Sequence, residues 1–564
     1  MVNIVENIRK QIDDAVRNSV SKAVEAGELP EFEIEEVTVE IPKEKSHGDF
    51  STNIAMQTAR MAKKAPRQIA EIIVKNMDLE GTYIEKVEIA GPGFINFYLN
   101  NNWLYDSLKD IQRLREEYGR IDVGGGQKVM VEFVSANPTG PLHMGNARGG
   151  ALGDCIASVL ERAGYDVTRE FYVNDAGNQI EKFGISLEAR YLQLLKGEDA
   201  VEFPEDGYHG EDIIEHMKNY IEEHGDKLLD VDSSERRKAL VEYALPKNVE
   251  RIKKALEEYG VTFDVWFSEQ SLYDSGEIEE TLEYLKEKGY TREEDGALWF
   301  KATLFGAEKD EVIVRNNGVP TYFLADIAYH RNKFLKRNYD RVINLWGADH
   351  HGHVFRMKCG VEAFGIDPDK LDIVIFQLVR LYRNGEIARM SKRTGKSISL
   401  TDLLEEVGRD AARFFFNTKA SGNHLDFDLD LAVKQSNENP VYYVQYAHAR
   451  ICSMLKVLES EGIKVPDVDE VNVSLLDKEE EIELLKKLAQ YPEEIRLTAE
   501  TLEPSRLTRY VYDVAAAFHS FYNACRVKGE EEEIMNARLI LVDSTKIVIR
   551  NVLELLSINA PDKM

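Results

Sequence analysis

The segment NPTGPLHMGNARGG, Asn137–Gly150, places a histidine in a glycine-rich turn between two predicted elements. The apolar run Val129–Val134 predicts a buried strand before the turn, and Gly145–Leu160 predicts a helix after it. Open amide donors at the start of such a helix, with glycines that allow close backbone approach, suit a nucleotide or phosphate. His143 lies just before that helix, where a neutral imidazole can donate a hydrogen bond to a phosphate oxygen that gains charge in a transition state. A capped helix with a packed histidine explains this stretch alone equally well.

A second candidate site is the basic loop IARMSKRTGKSISL, Ile387–Leu400, between a predicted buried strand and a predicted helix at Thr401–Phe416. Its cationic side chains are Arg389, Lys392, Arg393 and Lys396. Ammonium and guanidinium groups neutralise the charge of a triphosphate, so this loop is suited to closing on one. A solvated basic loop remains the simpler interpretation when the segment is considered alone.

Together, H-x-G-N after the first strand and M-S-K-R after the last resemble the paired nucleotide-binding motifs of class I aminoacyl-tRNA synthetases. Along essentially its whole length the chain is similar to the arginyl-tRNA synthetase family. The segments that carry this resemblance are EFVSANPTGPLHMGNARG (Glu132–Gly149), FYVNDAGNQ (Phe171–Gln179), PEDGYHG (Pro204–Gly210), PTYFLADIAYH (Pro320–His330), WGADHHGH (Trp346–His353), ARMSKRTGK (Ala388–Lys396) and NPVYYVQYAHAR (Asn439–Arg450). The resemblance implies that L-arginine is activated with ATP and Mg²⁺ to arginyl-adenylate and then transferred to the 3′-terminal adenosine of tRNA(Arg) in translation.

The nucleotide motifs depart from the general class I pattern, because Asn146 replaces the second histidine of H-x-G-H and Arg389 replaces the first lysine of K-M-S-K-S. Asparagine still donates to a ribose or phosphate oxygen, and arginine retains the positive charge. Some relatives place a lysine upstream of the histidine motif, where this chain has Thr139, so the resemblance makes Lys392 the catalytic cation beside His143. The ATP contacts that it implies are His143, Gly145, Asn146, Gly347, His350, Arg389, Met390, Ser391 and Lys392.

An arginine pocket requires carboxylates, because the guanidinium group is planar, permanently charged and rich in hydrogen-bond donors. Glu132 lies in an otherwise apolar strand pattern, where an unpaired carboxylate would be costly. Tyr322 and Asp326 share one face if YFLADIAYH is helical. A strand-end salt bridge for Glu132 and a surface position for Asp326 remain alternatives. The arginine contacts that the resemblance implies are Tyr322 and Asp326 at the guanidinium group, Ser135 and Asn137 at the α-amino and carboxylate groups, and Glu132, Asn146 and Asp349 in the same pocket.

The cluster DHHGH, Asp349–His353, contains residue types that bind zinc. Successive side chains at a strand-to-helix turn point in divergent directions, however, and no further cysteine or histidine cluster supplies a closed ligand shell. We therefore expect no metal bound by protein ligands. The resemblance instead places His350 and Gly347 near the adenosine of ATP.

These residues need a parallel sheet to position them. Near-continuous apolar strands at Val129–Val134, Arg341–Trp346 and Asp372–Val379 alternate with helical patterns, which indicates an α/β domain. The resemblance makes this domain, residues 111–435, a Rossmann-like class I catalytic domain. Within it, the charge-rich region at about 196–301 predicts a helical insertion.

Two flanking domains are predicted. Residues 1–110 form an α+β unit, with a helix at Ile4–Ala26 and alternating strands at Phe32–Ile41, Tyr83–Ala90 and Phe94–Leu99. Residues 436–564 form an all-α bundle, which the resemblance identifies as the anticodon-binding domain. Its predicted helices are Val441–Leu458, Glu480–Tyr491, Ser505–Val527 and Glu533–Leu556.

Both flanking domains offer candidate contacts to tRNA. Phe94 and Asn96 lie on one face of a predicted strand, where an aromatic ring can stack on a base beside an amide that reads its edge. The family uses this segment to touch the D-loop, whereas Phe97 fits a small core equally well. In the bundle, Tyr446 and Arg450 are the main candidates, although most of the tyrosines there fit a core. Further candidates are Tyr442, Tyr443, His448, Arg538, Lys546 and Arg550.

The composition restricts the class of protein. A formal net charge of −29 argues against indiscriminate binding to nucleic acid or membranes, although a local basic groove can lie on an acidic body. The four cysteines include no C-x-x-C pair, so no disulfide framework is indicated. No apolar run approaches the roughly 20 residues of a membrane span, and the amino terminus lacks the apolar core of a secretory signal. We expect a cytoplasmic protein, and the resemblance implies a monomer.

Two other classes of protein share part of this pattern. A small-molecule nucleotidylyltransferase shares the H-x-G-H chemistry on a similar sheet, but it needs no helical anticodon bundle or separate RNA-binding domain. A non-catalytic RNA-binding relative conflicts with the presence of His143, Lys392, Glu132 and Asp326.

Overall fold

A five-stranded parallel sheet lies in the middle of the chain in this computed structural model, which describes residues 3–42, 44–388 and 398–564. Parallel neighbours need crossover connections, so the carboxyl ends of all these strands meet at one edge of the sheet. Across the sheet the strands follow the order Leu371–Phe376, Arg341–Gly347, Lys128–Glu132, Asp166–Val173 and Val265–Ser268. The predicted α/β fold class is confirmed.

The predicted strand Asp372–Val379 divides into two. It ends in the central sheet at Phe376, and Val379–Arg383 belongs to a separate three-stranded sheet with Glu386–Ile387 and Leu425–Asp428. The predicted helix Thr401–Phe416 is also divided, because Gly408 adopts a φ of 79° between its two halves. The halves are Leu400–Val407 and Arg409–Phe416.

The region at about 196–301 is only partly helical. Its helices Glu211–His224 and Ser233–Glu258 pack on Gly177–Lys196 around a small apolar core of their own. The helical prediction is wrong for Val265–Ser268, which is the edge strand of the central sheet. Four half-buried residues are too few for an apolar period to reveal a strand within a charged sequence. The antiparallel strands that follow are Thr291–Glu294, Ala297–Phe300 and Glu311–Val314.

The amino-terminal unit contains a helix at Ile4–Glu25 and a four-stranded sheet. The strand predicted at Phe32–Ile41 is wrong except at Val39–Glu40. Arginines of the first helix explain the difference, because Arg17 donates to the carbonyl oxygen of Ile34 at 2.7 Å. A backbone carbonyl group that accepts a hydrogen bond from a side chain does not need a donor from a neighbouring strand. The sheet order is Val39–Glu40, Phe50–Thr52, Phe94–Leu99 and Ile84–Ala90.

The carboxyl-terminal region is all helical, as predicted. Its second predicted helix ends at Ala489, and a helix that the sequence pattern did not reveal begins at Tyr491. None of the helices in the described part of the chain is long and apolar enough to cross a membrane. The bundle helices are Pro440–Ser460, Glu479–Ala489, Tyr491–Thr501, Ser505–Ala524 and Glu532–Leu555. Further elements include the helices Pro66–Lys75, Asn102–Leu114, Met144–Arg162, Glu277–Glu287, Tyr322–Arg331 and Val354–Glu362.

A buried arginine joins the helix after the His143 turn to the last helix of the bundle. Arg413 is fully buried, and it donates to the Asp154 carboxylate at 2.5 Å and to the carbonyl oxygen of Leu556 at 2.6 Å. Ser557 also donates to Asp154, at 3.0 Å. The buried guanidinium group of Arg413 therefore links the catalytic sheet region to the helical bundle.

Candidate active site

The His143 turn holds its imidazole in one tautomer. His143 caps the helix Met144–Arg162, and its Nδ1 accepts from the backbone N–H of Gly145 at 3.2 Å. The Asn146 side chain accepts from the backbone N–H of His143 at 3.1 Å, which completes a capping box. Because Nδ1 is the acceptor, Nε2 carries the proton of the neutral ring, and partial desolvation of the ring lowers the pKa of His143. The exposed imidazole can therefore donate to a phosphate oxygen.

The strand Lys128–Glu132 ends in a strained turn. Val134 and Ser135 have φ values of 67° and 40°, in the left-handed region that β-branched residues such as valine rarely adopt. Such strain costs on the order of 1–3 kcal/mol per residue and is typical of functional turns. The turn brings Ser135 Oγ within 3.0 Å of Glu132 Oε1, and the same hydroxyl accepts from the Tyr172 backbone N–H at 3.2 Å. Ser135 is thus fixed at the carboxyl edge of the sheet.

Glu132 is neutralised by a lysine. Lys333 is completely buried, and its ammonium group lies 2.5 Å from Glu132 Oε2 and 3.1 Å from Asn344 Oδ1. A π-helical turn, Asn332–Lys336, carries this lysine beneath the sheet edge. The structure shows the salt bridge that the sequence left as the alternative for Glu132. Because the pair satisfies the carboxylate, a direct contact of Glu132 with arginine stays a prediction.

The segment YFLADIAYH is helical, and Tyr322 and Asp326 lie one turn apart on the helix Tyr322–Arg331, which meets the condition for their sharing one face. The Asp326 side chain is largely buried, and its Oδ2 lies 2.8 Å from His353 Nε2. Burial and the Asp326 charge raise the pKa of the Tyr322 hydroxyl. An ionised carboxylate beside a neutral phenol is an arrangement that accepts and orients a guanidinium group.

A further carboxylate, Glu269, was missed by sequence reasoning. It follows the edge strand Val265–Ser268, and burial together with the charges of Asp326 and Asp175 raises its pKa to about 7. No lysine or arginine among the described residues forms an ion pair with it. An acidic residue directly after a strand can indicate a site at the carboxyl edge of a sheet. This region was predicted to be helical, so the strand before Glu269 was not recognised.

The turn after the strand Arg341–Gly347 directs its polar side chains to two places. Asp349 and His350 are exposed, with 83% and 48% of their side-chain surfaces accessible, whereas His353 points inward and stacks on Trp346 at 5.2 Å. His350 Nε2 lies 3.6 Å from Asp349 Oδ2, whereas His353 Nε2 faces Asp326. Gly347 and His350 lie at the carboxyl edge of the sheet, where the neighbouring strand Lys128–Glu132 also ends before the exposed residues Asn137 and His143.

A group of three closely spaced ligand-type side chains occurs elsewhere in the described chain, at His448, Cys452 and Asp562. His448 Nδ1 lies 2.9 Å from the carbonyl oxygen of Pro561, and the Cys452 thiol donates to Asp562 at 3.4 Å. Each of these groups has a hydrogen-bond partner without an ion. Their contacts fix the carboxyl-terminal tail against the helix Pro440–Ser460.

The basic-loop residues Arg389, Met390, Ser391 and Lys392 lie outside the described residues, so their roles stay predictions. The segment that follows them is described. Ser399 forms a β-bridge with His143, and the Leu400 backbone N–H donates to the Leu142 carbonyl oxygen at 2.8 Å. The carboxyl end of the loop is therefore attached beside the His143 turn.

The predicted tRNA contacts of the amino-terminal sheet differ in accessibility. Phe94 is exposed, but Asn96 is only 4% exposed. Asn96 lies in a central strand, paired with Ser51 on one side and Glu88 on the other, whereas Phe94 extends beyond Phe50–Thr52. The burial of Asn96 contradicts the predicted reading of a base edge by its amide.

The bundle candidates form a row of rings along one helix. Tyr442 and Tyr446 are stacked, with ring centroids 6.1 Å apart and planes 8° apart. Arg450 lies over the Tyr522 ring at 4.2 Å and donates to the Tyr446 hydroxyl at 3.4 Å. Arg538, in contrast, is buried and paired with Glu481 at 2.7 Å, so its predicted phosphate contact is wrong.

Three family descriptions match successive parts of the chain. They are "Arginyl tRNA synthetase N terminal domain" over residues 6–99, "tRNA synthetases class I (R), catalytic domain" over residues 110–435 and "DALR anticodon binding domain" over residues 444–564. The fold and the His143 turn are therefore those of a class I aminoacyl-tRNA synthetase.

Full-length relatives specify the amino acid. The arginine–tRNA ligases of Acetivibrio thermocellus and Ruminiclostridium cellulolyticum are 79% and 71% identical to this chain over 100% of both sequences. The chain belongs to the arginyl-tRNA synthetase family. The Thermus thermophilus arginyl-tRNA synthetase structure shares the fold, with a TM-score of 0.74 at 22% identity, over 99% of this chain and 100% of that chain. The enzyme activates L-arginine with ATP and joins it to tRNA in translation.

Proposed function

We propose that the carboxylates Asp326 and Glu269 select arginine by binding its guanidinium group. The observation that carries this proposal is the proximity of two carboxylates, the largely buried Asp326 and Glu269 at the end of the edge strand, and their repulsion together with burial raises the pKa of Glu269. A bound guanidinium cation would remove that repulsion and offer hydrogen bonds to both carboxylates. Tyr322, half exposed beside Asp326, covers the open side of the pocket. Lysine has a point charge without a planar fork, so it would satisfy this pair less well.

The α-amino and carboxylate groups of arginine lie toward the strained turn in this proposal. Ser135, held by Glu132 and the Tyr172 backbone, presents its hydroxyl at the sheet edge. Asn137, Asn146 and Asp349 complete the amino-acid site as side chains that border the same opening. The Lys333–Glu132 pair then supports Ser135 without facing the substrate guanidinium.

ATP binds beside the His143 turn, with its phosphates toward the start of the helix Met144–Arg162. The arginine carboxylate attacks the α-phosphate in line, which forms the acyl-phosphate bond and breaks the bond to pyrophosphate. His143 donates to a phosphate oxygen through Nε2, and Lys392 supplies positive charge from the loop. The other proposed ATP contacts are Gly145, Asn146, Gly347, His350, Arg389, Met390 and Ser391. Mg²⁺ accompanies the ATP phosphates and neutralises part of their charge.

The flanking regions bind tRNA(Arg) in this proposal. Phe94 stacks on a base at the amino-terminal sheet, and Tyr446 and Arg450 provide stacking and charge in the bundle. We assign residues 1–110 to tRNA contact, 111–435 to catalysis and 436–564 to anticodon binding. The enzyme acts as a monomer in the cytoplasm.

A pyrophosphate-exchange assay across all amino acids, with and without bulk tRNA, tests the proposal. We expect exchange with arginine when tRNA is present, and a strong loss for arginine but not for ATP when Asp326 is changed to Asn. Exchange with another amino acid, or exchange that needs no amino acid at all, would contradict this assignment of the pocket.

A further inference from the structure

Arg356 fixes the proton of the histidine that binds Asp326. Its guanidinium Nε donates to His353 Nδ1, and a guanidinium group cannot accept a hydrogen bond. Nδ1 is therefore the acceptor, so the proton of the neutral imidazole is on Nε2. That nitrogen lies 2.8 Å from Asp326 Oδ2, which identifies His353 as the donor and Asp326 as the acceptor.

The same arginine acts on the other neighbour of Asp326. The Tyr322 hydroxyl lies close enough to both groups that Asp326 raises its pKa and Arg356 lowers it. Arg356 is itself anchored, because Glu311 lies 3.3 Å from its Nη1 and the Phe323 ring lies 5.4 Å from its guanidinium carbon. One fixed cation therefore donates to His353 and also acts on Tyr322, the two side chains beside Asp326.

We propose that Arg356 is a positioning residue that keeps His353 neutral, so that its imidazole donates to Asp326 through Nε2. This inference rests on the proposed role of Asp326 in binding the guanidinium group. A doubly protonated His353 would place a cation against Asp326 and compete with the substrate. By occupying Nδ1, Arg356 prevents that second protonation, so Asp326 keeps its charge for arginine.

The other groups around His353 do not supply the same control. On the helix Tyr322–Arg331, His330 is buried and its pKa is lowered well below the ordinary value, so it stays neutral. On the strand before His353, Trp346 contributes a stacked ring. Glu269, which lies beyond Asp326, titrates near pH 7 and acts on arginine directly. Asp326 accepts from Nε2, and Arg356 is the group that occupies Nδ1 and so keeps a second proton from it.

Two substitutions of Arg356 test whether donation to His353 Nδ1 is the property that matters. Arg356→Lys keeps a group that only donates, whereas Arg356→Gln introduces an amide that can donate or accept. We expect Arg356→Lys to stay within about threefold of wild type and Arg356→Gln to raise the KM for arginine about tenfold at pH 7.5, with an unchanged KM for ATP. Arg331→Gln, at an arginine paired with Glu280 on the neighbouring helix, is the matched control.

The decisive readout is the pH profile of the arginine KM, expressed as the ratio of variant to wild type so that Glu269 contributes equally to both. We expect this ratio to rise for Arg356→Gln as the pH falls from 7.5 to 5.5, because a freed Nδ1 can take up a proton and so place a cation beside Asp326. For Arg356→Lys the ratio should stay flat. A flat ratio for Arg356→Gln, or parallel losses of ATP affinity and melting temperature in both variants, would overturn the proposal.

A spectroscopic measurement tests the inference without altering Arg356. In protein labelled with ¹⁵N-histidine, the resonances of His353, assigned by their loss in His353→Gln, should show a protonated Nε2 and an unprotonated Nδ1 from pH 7.5 to 5.5. Protonation of both nitrogens within that range would refute it. If Asp326→Asn left the arginine KM unaltered, the pocket assignment would fail, whereas the tautomer result would stand independently.

Discussion

The two ends of the active site are held in different ways. At the end proposed to bind the guanidinium group, Asp326, His353 and Arg356 form a chain of partly or fully buried hydrogen bonds. At the nucleotide end, His143 and His350 are exposed on turns. Recognition of one cation favours acceptors that are oriented before binding, since their ordering then costs no affinity. ATP entry and pyrophosphate release, in contrast, require an open edge.

The largest expected effect concerns the exposed end. His143→Ala removes a donor aimed at charge that develops in the transition state, so kcat should fall by roughly 10²–10³ with a smaller change in KM. Lys392→Ala should behave in the same way. Single-turnover measurement of adenylate formation gives the rate, and His224→Ala, at a histidine on the separate helix Glu211–His224, is the control. Near-normal turnover in Lys392→Ala would refute the proposed mechanism.

A slightly smaller effect is expected at the buried end. Asp326→Asn keeps the shape of the side chain but replaces an acceptor with an amide that also presents donors, at a cost of about 2–4 kcal/mol. The kcat/KM for arginine should therefore fall about 100-fold, while the KM for ATP stays nearly constant. Pyrophosphate exchange with each substrate varied in turn measures both. An equal loss for ATP would indicate a folding defect.

Glu269 should link arginine binding to pH. Its pKa of about 7 in the free enzyme means that it is largely protonated at pH 6, and binding of a guanidinium cation must displace that proton. The KM for arginine should therefore rise as the pH falls below 7, by up to about tenfold per unit. Calorimetric titrations of arginine in buffers of different ionisation enthalpy should detect proton release at pH 6.5. Glu269→Gln should abolish the release, and its persistence would assign the proton to another group.

The smallest effects are expected far from the chemistry. Tyr446→Leu should raise the KM for tRNA about tenfold, since one base stack contributes on the order of 1–3 kcal/mol. Phe94→Leu should act similarly, whereas Asn96→Ala should lower the melting temperature and leave the KM for tRNA unchanged because Asn96 is buried. Aminoacylation at varied tRNA concentration measures these constants. A selective loss of tRNA affinity in Asn96→Ala would instead support the predicted contact of Asn96 with a tRNA base.

Local sequence patterns predicted some of the elements that carry the site. The strand before His143 forms, because its apolar run is long enough to specify it. The helix of Tyr322 and Asp326 is buried on nearly all sides, so no apolar period specified it and it could be assumed only as a condition. The edge strand Val265–Ser268 is too short for an apolar run to specify it, and Glu269 was missed with it.

Partners distant in sequence were also beyond prediction. Lys333 meets Glu132 across 201 residues, and only the order of the strands brings them together. The tautomer of His353 depends on the direction of the Arg356 guanidinium group, which no spacing of residue types encodes.

The buried contacts of Arg413 determine how a substitution at this position would affect the rest of the molecule. Its removal would leave the Asp154 carboxylate in the interior with only Ser557 and the more distant Arg169, and breaking such a buried pair typically costs about 3–5 kcal/mol. Asp154 belongs to the helix that His143 caps, and Leu556 follows the last helix of the bundle. Loss of Arg413 would therefore destabilise the packing of both helices. A genetic lesion at this single position would therefore mimic two separate defects, one in adenylate chemistry and one in tRNA discrimination.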